Sequence, residues 1–368
     1  MIIQHIKLYQ FKNYEHLALA FDPAFNIIVG KNGMGKTNLL DAIYYLSFCK
    51  SNYQHQDGNV VSFNKDSLRV HGEYLGNNGR QITISGVVKA RKAKKISKNK
   101  KEYLKLSDHI GLIPLVMITP DDIQSLKEGS EERRKLLDTC ISQYSKTYLA
   151  ALLKYKRILK QRNAYLKSVF NKNRIDHTLL DTLDSQLIDP AQTIYKERGQ
   201  FLDQFNPIFE EIYQYLAKGH EVMKCKIKSH LNDGEFKNLL LAAREKDIVL
   251  QRTTVGVHKD DLKIYMDDRL MKTFASQGQI KSGILSIKLA QYKLLSTIHE
   301  EVPILLLDDI FDKLDRSRVE HLLEYILDND FGQTFITDTH QSRVTEILKK
   351  KEQSFSKFVV IDGNVTLA

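Results

Sequence analysis

The sequence predicts an α/β fold in which a mixed sheet with an antiparallel β-meander carries an inserted all-helical arm. Three observations indicate it. A short apolar run, "FNIIV", breaks into a glycine-rich loop that continues as a helix. Alternating, strand-like segments surround that unit. From 121 to 245 helical periodicity dominates, and strands and helices then alternate again. We therefore expect a head formed by 1–120 and 246–368 and an arm formed by 121–245.

Composition and charge limit what the protein can be. The 368 residues are 42% hydrophobic and 27% charged, which suits two or three packed domains. A formal net charge of +10 favours an anionic partner such as nucleic acid. Three widely spaced cysteines fit neither a disulfide framework nor a zinc site, and the most apolar stretch, 302–307, is too short to cross a membrane. We expect a cytoplasmic protein without a membrane partner.

The first 120 residues are predicted to be rich in strands. "IIQHIKLYQF" alternates between apolar and polar residues, and "SLRVHGEYL" and "RQITISGVV" predict antiparallel neighbours across the turn "GNNGR". Residues 36–48 predict one helix, and 112–118 predict a further buried strand.

The α/β alternation resumes after the arm, which Pro190 and Pro207 punctuate. Helices are predicted at about 278–298, 316–328 and 341–351. The segments "PILLLDD", "QTFITDT" and "KFVVIDG" predict the strands that accompany them.

The glycine-rich loop fits the phosphate-binding pattern Gly-x-x-x-x-Gly-Lys-Thr. Glycines let the backbone N–H groups turn inward onto an anion, and the following helix adds its positive N-terminal end. The alternative is a glycine-rich turn that merely precedes a helix. The candidate nucleotide-binding residues are Gly30, Lys31, Asn32, Gly33, Met34, Gly35, Lys36, Thr37 and Asn38.

Two carboxylates at the end of the strand "ILLL" are the expected partners of this loop. Lys36 would neutralise phosphate charge, Thr37 and Asp308 would hold Mg²⁺, and Asp309 would orient or deprotonate the attacking water. Taken alone, the pair could equally be two solvated aspartates after a buried strand. Together with the loop, it predicts ATP and Mg²⁺ as cofactors.

Further motifs resemble those of ABC-type ATPases. "ASQGQ" before a helix resembles their signature motif, with Ser276, Gly278 and Gln279 as candidate contacts to a nucleotide. Ser276 is also a favourable helix N-cap, which is the simpler explanation of a serine at that position. "FDKLD" at 311–315 resembles the D-loop, and His340 stands where such ATPases carry their switch histidine.

The fuller resemblance is to the RecF family, and it extends nearly from end to end. It includes "FKNYEHL", "TPDDIQSLKEGSEERRKLLD", "GVHKDDL" and "LLLDDIFDKLD". The family pattern has Ser-Phe-Arg where this chain has Ser51-Asn52-Tyr53, and Gly-Pro-His-Arg-Asp-Asp at 256–261, where it has Gly-Val-His-Lys-Asp-Asp. The resemblance implies an ABC-type P-loop ATPase head, slow ATP hydrolysis and an ATP-dependent homodimer. It also implies the mediator proteins RecR and RecO as partners.

Lysine and arginine are concentrated at 89–101, which predicts a contact with nucleic acid. A second basic stretch, 154–162, lies on a predicted helix near Tyr155 and Tyr165. Without a base-reading motif, contacts should be to the DNA backbone of single or double strands. Either stretch could instead be a solvated charge run. The DNA-binding candidates are Lys89, Arg91, Lys92, Lys94, Lys95, Lys98, Lys100 and Lys101.

The sequence thus favours an ATP-dependent DNA-binding protein of recombinational repair and replication-fork maintenance. Two alternatives remain open: an ATPase subunit of a transporter or another ABC-type machine, and a structural head of the SMC type without catalysis.

Overall fold

The computed structural model describes residues 1–89, 92–122, 129–170, 175–218, 220–313 and 316–368. The chain divides into two compact units, formed by 1–123 with 281–368 and by 124–280. The second unit thus extends past 245, the predicted end of the arm.

The described residues contain the predicted strands and helices, together with several strands that the sequence analysis did not predict. Within the described residues the strands are β1 Ile2–Phe11, β2 Tyr14–Ala20, β3 Phe25–Val29, β4 Ser67–Leu75, β5 Gln81–Lys89, β6 Lys95–Lys98, β7 Lys101–Glu102, β8 Leu115–Ile118, β9 Met223–Lys228, β10 Asp261–Met266, β11 Arg269–Leu270, β12 Ile304–Leu307, β13 Thr334–Asp338, β14 Phe355–Ile361 and β15 Asn364–Leu367. The helices are α1 Lys36–Phe48, α2 Ser130–Tyr144, α3 Lys146–Val169, α4 His177–Ala217, α5 Phe236–Leu250, α6 Met271–Phe274, α7 Gln277–Ile298, α8 Arg316–Asp328 and α9 Arg343–Lys350.

The first unit places α1 between two six-stranded sheets. One is an antiparallel meander in the order β2-β1-β4-β5-β6-β7, and the other has the order β15-β14-β3-β13-β12-β8. In the second sheet β14, β3, β13, β12 and β8 are parallel, and only β15 is antiparallel. Because both sheets cover α1, it is buried along nearly its whole length.

This topology decides where the candidate site forms. The loop after β3, the two aspartates after β12 and the histidine after β13 all follow the carboxyl ends of parallel strands. Those ends share one edge of the sheet, which is where ligands bind in open α/β folds.

The second unit is mainly helical but contains a three-stranded sheet, β11-β10-β9. The expectation of an all-helical segment up to 245 is therefore wrong at β9, which pairs with β10 along its full length. Pro190 and Pro207 lie inside one continuous 41-residue helix, α4. The stacked rings of Phe201, Phe205 and Phe209 belong to its buried face, whose packing offsets the cost of the prolines.

Two smaller expectations from the sequence can also be compared with the structure. Cys49, Cys140 and Cys225 are free and buried, so none forms a disulfide. Among the described residues, no helix is both long enough and apolar enough to cross a membrane.

Candidate nucleotide site and basic surfaces

The phosphate loop requires glycine at several of its positions. Gly33 and Gly35 have φ values of 83° and 118°, in the region that favours glycine. A Cβ on Gly35 would lie 2.3 Å from Nδ2 of Asn13, and one on Gly30 would lie 2.5 Å from the carbonyl oxygen of Val360. The loop therefore has its shape because its glycines have no side chains.

Lys36 opens α1 and turns its side chain back onto this loop. Its Nζ donates to the carbonyl oxygens of Gly30 at 3.0 Å and Lys31 at 3.3 Å, and it lies 3.3 Å from Oδ2 of Asp309. Only 3% of the residue is exposed. A buried ammonium held by loop carbonyls is a positive charge already placed for a phosphate.

Asp308 receives three hydroxyl hydrogen bonds at the end of β12. Its Oδ1 accepts from Oγ1 of Thr37 at 2.9 Å and from Oγ1 of Thr337 at 2.8 Å, and its Oδ2 accepts from the hydroxyl of Tyr53. The predicted metal residues Thr37 and Asp308 are thus in direct contact. Their hydroxyl and carboxylate oxygens are the hard ligands that Mg²⁺ prefers, so the donor set fits that ion.

Asp309 is held in a left-handed backbone conformation, with φ at 44°. Its N–H donates to Oγ1 of Thr337 at 2.8 Å, and its carboxylate faces Lys36. The two aspartates therefore point to different partners, which suits the separate roles predicted for them.

His340 follows β13 and is exposed. Its backbone N–H donates to Oδ1 of Asp338 at 2.9 Å, and Arg343 binds both carboxylate oxygens of Asp338, at 3.0 and 2.6 Å. A bidentate pair thus fixes the turn that carries the predicted switch histidine. Of the D-loop resemblance at 311–315, Leu314 and Asp315 lie outside the described residues.

Three consecutive residues, at the turn from β1 into β2, contact the phosphate loop or the helix that follows it. Lys12 pairs with Oδ2 of Asp41 at 2.7 Å, and the amide nitrogen of Asn13 donates to the carbonyl of Met34 at 3.0 Å. The hydroxyl of Tyr14 donates to the carbonyl of Gly35 at 2.9 Å. "FKNYEHL" contains all three residues, but no spacing rule links them to a loop about twenty residues later.

The signature-like segment forms a capping box at the start of α7. The backbone N–H of Gln279 donates to Oγ of Ser276 at 3.2 Å, and the N–H of Ser276 donates to Oε1 of Gln279 at 2.8 Å. This confirms Ser276 as the predicted N-cap. Gly278 lies in the first turn, and Nε2 of Gln279 donates to Oε1 of Glu221 at 2.7 Å.

The basic run at 89–101 begins at the end of β5 and includes β6, which pairs antiparallel with β5 as in a hairpin. We call its exposed lysines the basic hairpin: Lys89, Lys92, Lys95, Lys100 and Lys101. Arg91 lies outside the described residues, Lys98 is half-buried, and Lys95 pairs with Glu102 at 2.9 Å.

Lys94 differs from the other lysines of this run because it is used inside the fold. Its Nζ lies 3.0 Å from Oδ2 of Asp57 and 2.5 Å from the carbonyl of Cys49, just past the end of α1. The same ammonium lies 5.8 Å from the ring centroid of Tyr45.

The second predicted basic stretch, 154–162, exposes Lys154, Lys156, Arg157 and Lys160 but not its last basic residue. Arg162 is fully buried, with Nε 2.6 Å from Asp184 and Nη1 2.6 Å from Asp247. Tyr155 is also buried, so neither side chain can face DNA.

The exposed face of the meander carries charged side chains that the sequence analysis did not consider, with Glu73 3.3 Å from Lys7 and 3.5 Å from His71. Lys7 lies opposite His71 and Tyr9 opposite Arg69, so alternation brings all four to one face. They line a depression of about 700 Å³. The alternating polar positions of "IIQHIKLYQF" and "SLRVHGEYL" indicate an exposed face on each strand. Which residues lie opposite one another follows only from the register of the two strands.

The motif at 256–261, whose role the sequence left open, supports the core of the second unit. His258 accepts at Nδ1 from the hydroxyl of Tyr155 at 2.7 Å. Burial lowers the pKa of His258 to about 4, so it is neutral. Oδ2 of Asp260 accepts from Nη1 of Arg198 at 2.7 Å.

The glycine loop leads into a buried helix, and a lysine, a threonine and two aspartates meet beside it. This arrangement defines a P-loop nucleotide-binding head. Residues 2–359 match the family described as "RecF/RecN/SMC N terminal domain". The chain belongs to the RecF family, as the resemblance implied.

Individual relatives agree with this assignment. The chain is 41% identical over 367 residues to "DNA replication and repair protein RecF" of Phocaeicola vulgatus, covering 100% of this chain and 98% of that protein. It is 41% identical over 365 residues to the protein of the same name from Parabacteroides distasonis, covering 99% of each.

Solved structures confirm the predicted fold class. A structure described as "recombination mediator protein RecF-ATPrS in RecFOR pathway" matches with a TM-score of 0.90 at 28% identity, covering 99% of this chain and 97% of that one. An Smc head domain from Pyrococcus furiosus matches with a TM-score of 0.58 at 17% identity, covering 100% and 96%, and shows the fold alone.

Proposed function

We propose that this protein is an ATP-dependent DNA-binding protein of recombinational DNA repair and replication-fork maintenance, acting in the cytoplasm as a slow, DNA-stimulated ATPase switch. One observation carries the proposal: Lys36, Thr37, Asp308 and Asp309 meet at the mouth of the loop. The names of its relatives and the ATP in the RecF structures supply the physiological context.

The proposed chemistry assigns a task to each of these residues. The loop N–H groups and the start of α1 bind the phosphates, and Lys36 exchanges its loop carbonyls for phosphate oxygens. Thr37 and Asp308 would hold Mg²⁺, which when bound supplies positive charge to the terminal phosphate. As Lys36 engages phosphate, the Asp309 carboxylate becomes available to orient the attacking water and accept its proton.

A substitution of Lys36 tests this site. Lys36→Arg should keep weak nucleotide binding and lose hydrolysis, because a planar guanidinium does not fit the narrow space between two loop carbonyls. Lys246→Arg, at an exposed position of α5, is the matched control. Equal ATP turnover by Lys36→Arg and the parent protein would refute the assignment.

We further propose that ATP is bound between two copies of the chain, with the loop of one facing the capped helix of the other. The support is the exposed Ser276 at the start of α7, which lies far from the phosphate loop in the sequence and belongs to the other compact unit. A nucleotide shared by two copies stabilises the dimer by mass action.

Light scattering with and without ATP tests the dimer. The parent protein should double in mass at saturating ATP, and Ser276→Arg should stay monomeric while still binding nucleotide. Gln192→Arg, exposed on α4, introduces the same charge elsewhere. A monomeric parent protein at saturating ATP would exclude this switch.

We propose the basic hairpin as a DNA backbone contact. Its lysines are exposed, and sequence-independent phosphate binding needs no base-reading group. Changing Lys89, Lys92, Lys100 and Lys101 to Gln should weaken DNA binding and flatten its salt dependence, by up to about 0.9 in slope for each phosphate no longer neutralised. The control changes four exposed lysines of the second unit, Lys196, Lys224, Lys237 and Lys246, to Gln. If both variants show the same salt dependence, the basic hairpin is not the DNA-binding surface.

The proposed protein partners are the mediators RecR and RecO, which the family resemblance implies. Size-exclusion chromatography of the purified chain with RecR, with and without ATP and DNA, tests this. No change in elution under any of these conditions would remove RecR from the proposal.

A further inference from the structure

Tyr53 is an unexpected member of the nucleotide site. Its hydroxyl donates to Oδ2 of Asp308, although 255 residues separate the two in sequence. The ionised Asp308 carboxylate can only accept, and a tyrosine hydroxyl carries a proton at neutral pH, so Tyr53 is the donor in this hydrogen bond.

The segment that carries Tyr53 is built around one buried carboxylate of α1. Asp41 is fully buried and accepts from Oγ of Ser51 at 2.6 Å and from the N–H of Asn52 at 2.7 Å. Oγ of Ser51 in turn accepts from the N–H of Tyr53 at 3.1 Å. The tyrosine backbone is therefore tied to the helix that begins at the phosphate loop.

Lys12 adds a contact to the tyrosine ring. Its Nζ pairs with Asp41 at 2.7 Å and lies 5.3 Å from the centroid of the Tyr53 ring, within the range of a cation–π contact. Backbone, ring and hydroxyl of Tyr53 thus each have a separate support.

The hydrogen bond from Tyr53 differs from the other two that Asp308 receives. Thr37 and Thr337 both donate to Oδ1, and Thr37 is itself a candidate metal ligand whose hydroxyl must turn to the ion. Tyr53 donates to the opposite oxygen, Oδ2, and it can keep that bond while Oδ1 and Thr37 bind the metal.

We infer that Tyr53 is a positioning residue of the nucleotide site, which holds the Asp308 carboxylate in the orientation that receives Mg²⁺. This inference rests on the proposed ATP site. Hydrogen-bond partners behind a metal ligand typically contribute tenfold to a hundredfold to metal affinity. Tyr53 therefore sets how much Mg²⁺ the site needs.

The test is Tyr53→Phe, which keeps the ring and its contact with Lys12 and removes only the hydroxyl. Binding of a fluorescent ATP analogue is measured while Mg²⁺ is titrated, and again in excess EDTA. The variant should need at least about tenfold more Mg²⁺ for half-maximal binding and should match the parent protein without metal. The control is Tyr292→Phe, which removes a buried hydroxyl bonded to the carbonyl of Pro303 and the N–H of Gly332.

A double-variant cycle separates positioning from general destabilisation. Ser51→Ala should raise the Mg²⁺ requirement when Tyr53 is present and change it little in the Tyr53→Phe background. The reason is that Ser51 acts on the metal site by positioning the Tyr53 hydroxyl, which the Phe variant lacks. If Tyr53→Phe and the parent protein both bind nucleotide and need the same Mg²⁺ concentration, the inference about Tyr53 is overturned and the proposed ATP site stands. Absence of nucleotide binding by the parent protein would instead overturn the proposed function.

Discussion

Arg198 is a buried arginine whose loss should strongly destabilise the second unit. It is 2% exposed, and its guanidinium contacts Oδ2 of Asp260 at 2.7 Å, Oδ1 of Asp138 at 2.9 Å and the carbonyl of Val257 at 2.9 Å. Its Nε also donates to the hydroxyl of Tyr148 at 3.1 Å. Arg198→Met retains much of the side-chain volume and removes every one of these hydrogen bonds.

The expected cost follows from the carboxylates left behind. Asp260 is 1% exposed, and removing one partner of a buried ion pair typically costs about 3–5 kcal/mol. Burial already raises the pKa of Asp260 with Arg198 present, and losing the arginine raises it further. The deficit should therefore be largest at pH 8 and shrink in mild acid, where Asp260 can take up a proton in the variant.

Urea unfolding followed by circular dichroism measures this, since the chain has no tryptophan. With an m value of about 1–3 kcal/mol/M, the midpoint at pH 8 should fall by at least about 1 M. Arg198→Met with Asp260→Asn should recover part of the loss, because the uncompensated charge is gone. A midpoint unchanged by Arg198→Met, or a double variant less stable than the single one, would refute the reasoning.

Three further outcomes are expected. Gly35→Ala should abolish nucleotide binding in an equilibrium titration, because its Cβ would lie 2.3 Å from Asn13 at a φ of 118°; full binding would show that the loop can rearrange. Because burial lowers the pKa of His258 from 6.5 to about 4, its contribution to stability is complete above pH 6.5 and is lost as pH falls towards 4, by up to about 3 kcal/mol. His258→Gln should flatten that part of the pH profile in urea unfolding, and an unaltered profile would assign it to other groups. Lys94→Met should lower the unfolding midpoint by removing the pair with Asp57, yet leave DNA affinity within about twofold in an anisotropy titration; a large drop in affinity would place Lys94 on the DNA surface.

The local sequence pattern was sufficient to predict the bounds of the helix after the phosphate loop and of a neighbouring strand. The predicted helix at 36–48 and the strand "SLRVHGEYL" match α1 and β4 residue for residue, because a glycine loop and strict alternation are strong short-range signals. The strand β9, "MKCKIK", was missed because it follows a long helix and is half charged. Its pairing with β10 stabilises it, and that partner lies more than thirty residues away.

The site was predictable where a motif exists and unpredictable where contacts are distant. Thr37 and Asp308 were expected to act together because both serve the same metal in P-loop ATPases. The hydroxyl of Tyr53 on Asp308 has no sequence signature. Arg162 was predicted to lie on a basic helical face, but it is buried and binds Asp184 and Asp247, which are 22 and 85 residues away in the sequence.

The helix α1 has an end at each of the two surfaces to which we assign ligands. Its first residue, Lys36, lies at the loop, and the carbonyl of Cys49 just beyond its last turn accepts from Lys94 of the hairpin segment. Thirteen residues at 1.5 Å each make a rod of about 20 Å, clamped between two sheets and without a proline or glycine along its length. An axial displacement of one end of α1 would therefore displace the other end as well, because the helix contains no residue at which it would readily bend.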